Sequence, residues 1–546
     1  MNKIKTFSWS IHNGLFLPSI ISTFFWGLIA HTYGFLNLFL THDAVWSFYS
    51  GTFFEKINLL KIQTGRWFVP IYHTIFRGPI TLPWLIGLTS LLWIAIAVYF
   101  CSKTLGIKSK THVFLLAAFM TTNVTITSQS ATYIYELDCN MFALLMACIA
   151  AYMWKSGTLW YHNLVGIITT AIVLGIYQSY LSVIIALIII DCILELLNNE
   201  KPQKTIIKGL KGCAIIIAGS LIYLCINKLF TLIYSTHLDD TSYNSLSNIL
   251  KPFEGGFIKY ILKMYLTFAY RIFAPASFYS IFLMILSVIL LCVIGTFAFI
   301  KICKHNKLPV SNIILVLLLV LLLPCGMNIS DILNKSMSHD LMRYSFCFFY
   351  FMLFIIIHLA LKNEVKNTKT NAIIKTTTYT IIALVLLNNI QVSNAMYINK
   401  ELQQNATLSQ MTIVLSDMQD YPDFNVETMP VVFMGQSSSY IDVAPFDSIC
   451  RITGFSPDVS SDNKAHHYFR YVLNYPILSA DIDIIDSMAD NQEVIAMPSY
   501  PEQGYIKVVD NILVVKISDY IQDEIYRASL PMHPKEISNL IQKFSG

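Results

Sequence analysis

"NLVGIITTAIVLGIYQSYLSVIIALIIIDCILELL", residues 163–197, decides how the chain is threaded. A run of this length is either two short apolar helices meeting at Tyr177-Gln178-Ser179-Tyr180 or one long tilted helix. The two readings differ by one crossing, and one crossing reverses the side on which every later loop emerges. Two helices, 163–178 and 180–197, are the reading taken here. With it, Lys3 and Lys5, Lys103, Lys108 and Lys110, Lys155, Lys201 to Lys211, Lys301 to Lys307 and Lys362 to Lys375 all fall on one side. By the positive-inside rule that side is the cytoplasm. Asp43, Glu55, Glu136, Asp138, Asp239, Asp240, Glu254, Asp331 and Asp340 then face outward.

The whole chain has the composition of an integral membrane protein: 55% hydrophobic and 13% charged residues with a mean hydropathy of +0.57. Apolar runs near the ~20 residues that cross ~30 Å of hydrocarbon recur through the first ~390 positions. They lie at 14–36, 80–102, 111–126, 138–154, 163–178, 180–197, 212–234, 276–300, 308–326, 343–361 and 371–389, which predicts about eleven membrane helices. The first has no small-residue cleavage site after it and reads as a retained helix. The formal charge of +4 resides in the one-sided lysines, so nucleic acid is not an expected partner. Of eleven cysteines only Cys450 falls in the polar tail, and no Cys/His metal spacing occurs.

Residues 391–546 read as a separate soluble domain. A helical pattern from about 396 is followed by β-like runs at 429–435, 493–498 and 512–518, a small α/β or α+β unit on the outer side. Two long outer loops, 37–80 and 235–275, carry amphipathic stretches. In the first, Trp46, Tyr49, Phe53, Phe54, Ile57 and Leu60 repeat at helical spacing with Glu55, Lys56 and Lys61 toward water. In the second, "FIKYILKMYLTFAYRIF" (257–273) does the same.

Those loops hold the chemistry. Asp43 directly follows a span and is flanked by aromatics, so partial desolvation would raise its pKa toward the range of a general base; the plainer reading is a solvated acid that ends a helix. Arg66 in "TGRW", Arg77 in "FRGP", Arg271 and Arg343 lie at corresponding depths, where guanidinium groups bind phosphate bidentately or simply snorkel to headgroups. Glu136 and Asp138 in "YIYELD" are either holders of sugar hydroxyls or a metal, or structural hydrogen-bonding groups. Gln178 either bonds helix to helix or lines a polar cavity. Trp67, Tyr135 and Gln178 are the candidate substrate-binding side chains. His339 and Asp340 precede Arg343 closely enough to form a charged pair without catalytic meaning. An acid, several cations and interfacial helices suit sugar transfer from a lipid phosphate: arginines neutralise the leaving phosphate, and a single base gives inversion.

Asp43 followed by "GRW" (65–67), "YIYELD" (133–138), "YQSYLS" (177–182) and a tail with "VVFMG" (431–435) together resemble the serotype-converting O-antigen glucosyltransferases of enteric bacteria and their phages. The resemblance implies a membrane glycosyltransferase of the C-type superfamily, an all-α polytopic body with a small C-terminal periplasmic domain. It implies an undecaprenyl-phosphate-linked hexose, often glucose, as donor and lipid-linked O-antigen repeats as acceptor, with no cofactor and a metal-independent reaction. A flippase and a polyprenyl-phosphate glucosyltransferase would act in the same pathway. The expected place is the bacterial inner membrane, with the N-terminus cytoplasmic and the C-terminal domain periplasmic. Relatives commonly take their catalytic acid from the first outer loop, which matches Asp43. Many show two adjacent acids there, whereas this chain has His42-Asp43, so His42 shares proton handling or the role shifts to Glu136 or Asp138. A lipid-linked sugar flippase is the rival from another class. It is disfavoured because apart from Asp191 the span interiors hold almost no charge. A glycan polymerase or ligase of similar outline is the third reading.

Overall fold

The computed structural model describes residues 14–40, 59–78, 80–157, 159–237, 256–273, 276–334, 339–362, 369–422, 424–437 and 459–519. His42 and Asp43, and most of the aromatic stripe around Trp46 to Ile57, lie outside the described residues.

The described part is mostly helical. Helix α1 (Phe16–Leu36) is followed by α2 (Phe68–Tyr72), which continues as a π-helical turn, His73–Arg77. Next come α3 (Pro83–Thr104), α4 (Lys110–Thr121), α5 (Val124–Thr132), α6 (Ile134–Ser156), α7 (Trp160–Ile176), α8 (Leu181–Leu197) and α9 (Pro202–Ile233). After the second long loop follow α10 (Phe257–Phe273), α11 (Ile281–His305), α12 (Val310–Met327), α13 (Ile329–Asn334), α14 (Cys347–Lys362) and α15 (Lys369–Gln419). Each of the eleven expected apolar segments meets a helix. Among the described residues nine helices are long and apolar enough to cross a bilayer, while Lys110–Thr121 and Trp160–Ile176 are shorter.

The deciding stretch is two helices. Tyr177 is extended (φ −155°, ψ 111°), which stops α7, and a 3-10 turn at Gln178–Tyr180 starts α8. The expected span 111–126 is likewise broken. The side chain of Asn123 accepts from the Thr125 amide at 2.8 Å, capping a new helix and leaving α4 only twelve residues, about 18 Å.

Helices pack closely where glycine faces a large side chain: Leu91 of α3 lies on Gly27 of α1, and Phe35 of α1 lies on Gly87 of α3. Exposed Leu, Ile and Phe side chains line α9, α11 and α12, the surface that hydrocarbon would cover. At one end of the bundle the lysines converge. Lys155 and Lys208 share the buried Asp191, Lys208 also pairs with Glu195, Lys211 bonds the Gly157 carbonyl and Lys301 bonds Asn371. Asp191, the one acid expected inside a span, is thus matched by two cations.

Helix α15 runs 51 residues without a break, about 76 Å, so it passes position 390 as a continuous rod. Its last turns enter a second core, where Met411, Val414 and Met418 pack against Val431, Phe433, Phe469, Leu513 and Val515. That core holds β1 (Val431–Met434), α16 (Asp462–Tyr471), α17 (Ile482–Ala489), α18 (Gln492–Ile495), β2 (Ile506–Val509) and β3 (Ile512–Lys516). The sheet order is β1-β3-β2, with β1 parallel and β2 antiparallel to β3. Residues 493–498, expected as a strand, contain α18 instead. Asn491 caps it by accepting from the Glu493 amide, so a six-residue apolar run folds as a helical turn. Strand β2 was not foreseen; it turns into β3 through Asp510 and Asn511, both at positive φ, a two-residue hairpin turn.

Candidate functional site

The acidic motif "YIYELD" opens α6. Tyr133 precedes it in a non-helical conformation, which puts Glu136 in the first turn, where the helix dipole favours a carboxylate. Two residues apart on a helix, Glu136 and Asp138 point in different directions, and each finds its own cation. Lys61 Nζ lies 3.0 Å from Glu136 Oε1, and Arg77 Nη1 lies 3.1 Å from Asp138 Oδ1. Both acids are buried. Lys61, expected to face water, is turned inward instead, where it pairs with the buried Glu136 carboxylate that would otherwise be an uncompensated charge.

The Asp138 side is the more fully bonded. Arg77 also donates to the Tyr135 carbonyl and sits 3.0 Å from His73 Nε2. Tyr72 donates to Asp138 Oδ2 at 3.2 Å and itself accepts from Trp93 Nε1 at 2.9 Å, while the Cys139 amide donates to Oδ1. The π-helical turn brings His73 and Arg77 onto one face, and Gly78 closes it at positive φ. Burial, and secondly the Arg77 charge, push His73 down to about 3, so it is neutral at physiological pH.

Next to this network lies Arg66. Gly65 adopts φ +76° with Tyr223 Oη 2.5 Å from the place a Cβ would take, the close approach that "TGRW" requires. Arg66 then extends over the Tyr177 ring, 4.6 Å from its centre, and makes no ion pair among the described residues. Trp67 is buried on Gly175 of α7, beside Phe68 and Phe230. Gln178 donates to Tyr223 Oη at 3.1 Å and to the Thr64 carbonyl at 3.4 Å, so it joins α9 and the Arg66 loop to the α7–α8 break.

Arg271 and Arg343 form a second group. Asp340, which opens a 3-10 turn at residues 340–342, pairs with Arg271 of α10 at 2.9 Å. Arg343 is buried, with Arg271, Asp331 and Asp340 the charges acting on it; burial first, then Arg271, lower its pKa to about 10, and it stays cationic at neutral pH. Burial and then the Arg343 charge lower the His339 pKa as well. A cavity of about 100 Å³ opens here, lined by Arg271, Arg343, Asp340, Asn123, Thr125 and Asn389 on its polar side. Asn123 donates to the Tyr344 carbonyl and Thr125 to the Asp340 carbonyl, which fixes the turn between the two arginines.

The two groups communicate through a short chain of contacts. Tyr177, under Arg66, packs its ring 6.1 Å from Tyr180; Gln129 bonds Tyr180 Oη and the Leu341 carbonyl, both at 3.2 Å. The structure therefore gathers Arg66, Arg77, Glu136, Asp138, Tyr135, Trp67 and Gln178 in one neighbourhood and Arg271 with Arg343 in the adjoining one. All lie at the helix ends opposite the lysine cluster: Asp138 and Lys155 are about 25 Å apart along α6. Sequence reasoning missed Lys61, Tyr72, Tyr223 and Asn123, and left His73 and Asp340 without a role. Their partners are distant in the chain, so no local pattern marks them.

The model of the glucosyl transferase GtrII family matches residues 33–360, more than half of the chain, and spans both groups while leaving the C-terminal domain outside. No curated protein and no solved structure matches. The chain thus belongs to the GtrII glucosyl transferase family, as its motifs implied, and is a membrane glycosyltransferase.

Proposed function

We propose that the chain transfers a glucosyl group from undecaprenyl phosphate to a hydroxyl of a lipid-linked O-antigen repeat, on the periplasmic face of the inner membrane, with inversion. The observation that carries this reading is the pair Arg271 and Arg343 against one small cavity, at the end of the bundle remote from the lysines. The buried Arg343 and the part-buried Arg271 both line this cavity, with Asp340 and Asp331 as their acidic neighbours, and a planar guanidinium suits bidentate binding of a phosphate. The lysine end would be cytoplasmic by the positive-inside rule, and the arginine end periplasmic.

In the reaction, the acceptor oxygen attacks the anomeric carbon as its proton passes to a carboxylate. The bond from that carbon to the phosphate oxygen breaks, and its electron pair leaves with the carrier phosphate, stabilised by Arg343 and Arg271. Asp43 is the proposed base. It lies outside the described residues, three positions after Leu40, whose amide donates to Gln404 of α15 at 3.2 Å. Glu136, with Lys61 at 3.0 Å and the Arg66 charge nearby, is the proposed alternative, and Arg66 is proposed to bind a further anionic or hydroxyl group of the substrates. Asp138 and Arg77 are assigned to holding this wall, since they bond one another and Tyr72, Tyr135 and His73.

The test is reconstitution of the full chain in proteoliposomes with glucosyl undecaprenyl phosphate and lipid-linked O-antigen. A gain of one hexose per repeat by mass spectrometry is expected. Carrier crossing the bilayer with no hexose gained would make the chain a flippase and overturn the reading.

A further inference from the structure

A second, apolar groove runs along the outside of α11. It is lined by Phe273, Ile289, Cys292, Val293, Phe297 and Ile300 and encloses about 430 Å³. Positions 289, 292, 293, 296, 297 and 300 recur at helical spacing, so one stripe of α11 forms its floor over roughly 16 Å. The opposite face, Val288, Leu291, Gly295 and Ala298, is buried in the bundle.

The upper end of this groove adjoins the arginine cavity. Phe273 lies in the same last turn of α10 as Arg271, and Ile272 between them lines the cavity. Tyr350 of α14 stands in the cavity wall and donates to the Ile272 carbonyl at 2.9 Å. Consecutive residues of α10 therefore line the two spaces, Ile272 the arginine cavity and Phe273 the apolar groove. Met284, a cavity residue, lies on the same helix about 8 Å above Ile289.

Charge at the top and a continuous apolar stripe below match one kind of occupant, a molecule with an anionic head and a long hydrocarbon tail. We propose that the groove from Phe273 to Ile300 binds the isoprenoid tail of the donor whose phosphate rests on Arg271 and Arg343. This rests on the polyprenyl-phosphate donor reading above. An unspecialised lipid-facing surface would also be apolar, but nothing would tie it to the site; here the adjacent Ile272 and Phe273 link the two.

Two measurements test it. Polyprenyl phosphate without sugar, carrying a diazirine on the tail, is photolysed with the wild-type chain in nanodiscs. Crosslinks are expected within residues 289–300, competed by unlabelled polyprenyl phosphate and not by phosphatidylglycerol. Crosslinks elsewhere, or equal competition by phosphatidylglycerol, overturn the assignment, the latter by showing an ordinary lipid contact. In the second, Val293→Trp fills the groove. The preference for a long-tailed over a two-isoprene donor, as a ratio of kcat/KM, is expected to fall about fivefold, the worth of one to two buried methylenes. An unchanged ratio overturns it. Failure of the wild-type chain to use either donor, with tail crosslinking intact, would instead remove the proposed reaction and leave the lipid site standing.

Discussion

Arg77 reaches across 61 residues of chain to hold Asp138 at 3.1 Å, and both side chains are almost wholly buried. The pair ties the π-helical turn after α2 to the start of α6, so it sets the distance between the "GRW" loop and "YIYELD". Removing one partner strands the other charge in the interior, at a cost of about 3–5 kcal/mol. Arg77→Met should lower thermal stability in detergent by that amount. Arg77→Met with Asp138→Leu should recover more than half, since neither charge is then left alone. A double variant as unstable as the single one would show that the carboxylate is needed for its bonds to Tyr72 and the Cys139 amide rather than for Arg77.

Arg343 is expected to act on the donor through its planar fork. Lysine keeps the charge but offers no bidentate geometry, so Arg343→Lys should lower kcat/KM about 10²-fold, near the loss of one preorganised donor in other enzymes. The measurement is initial-rate transfer in proteoliposomes at matched protein amounts, with melting curves alongside. A loss of less than about threefold would remove Arg343 from the phosphate site.

His73 makes stability pH-dependent. Its pKa falls to about 3 in the folded chain, from burial first and Arg77 second, against about 6.5 when unfolded. The unfolded chain therefore binds the extra proton between those values, and the fold's advantage, complete above pH 6.5, is lost as pH falls toward 3. At pH 5 the loss is about 2 kcal/mol. His73→Gln should flatten that part of the stability profile between pH 7 and pH 5, as read by denaturation midpoints. Parallel profiles for wild type and variant would exclude His73 as the source.

Asp43→Asn should abolish hexose transfer while leaving membrane insertion and the melting temperature unchanged. Glu136→Gln separates the two candidate acids. If Asp43 is the base, the Glu136 variant keeps measurable transfer, with a raised KM for the acceptor; if Asp43→Asn retains normal glycan modification, the base lies elsewhere.

Much of this architecture was legible because it is written in local patterns. Among the described residues each expected apolar run meets a helix, and the lysines predicted the end at which Lys155, Lys208 and Asp191 meet. The aromatic–polar break at Tyr177 to Tyr180 was visible as a possible stop. Three features were not. The continuity of α15 through position 390 follows from Val392, Met396 and Tyr397 packing on one side and Met411 and Met418 on the other, which requires knowing both cores. The inward turn of Lys61 depends on Glu136, 75 positions away. The pairing of Asp340 with Arg271, 69 positions away, depends on a 3-10 turn that periodicity does not report. For the site, residue types were readable, but which cation meets which acid was not.

Two glycines flank Arg66 and Arg77 in the first long loop and differ in one respect that can be measured. Gly65 and Gly78 both take positive φ, +76° and +74°, so alanine at either costs about 1 kcal/mol in backbone strain. At Gly78 a Cβ would meet nothing within 4 Å, whereas at Gly65 it would meet the Tyr223 hydroxyl at 2.5 Å and Gln178 Nε2 at 3.4 Å. Gly65→Ala must therefore also displace Tyr223 or the loop, and either movement shifts Arg66 off the Tyr177 ring. The expected result is a modest stability loss in both variants, with transfer reduced at least tenfold only in Gly65→Ala. Equal activities would mean that the Arg66 loop tolerates the shift, and would place Arg66 outside the site.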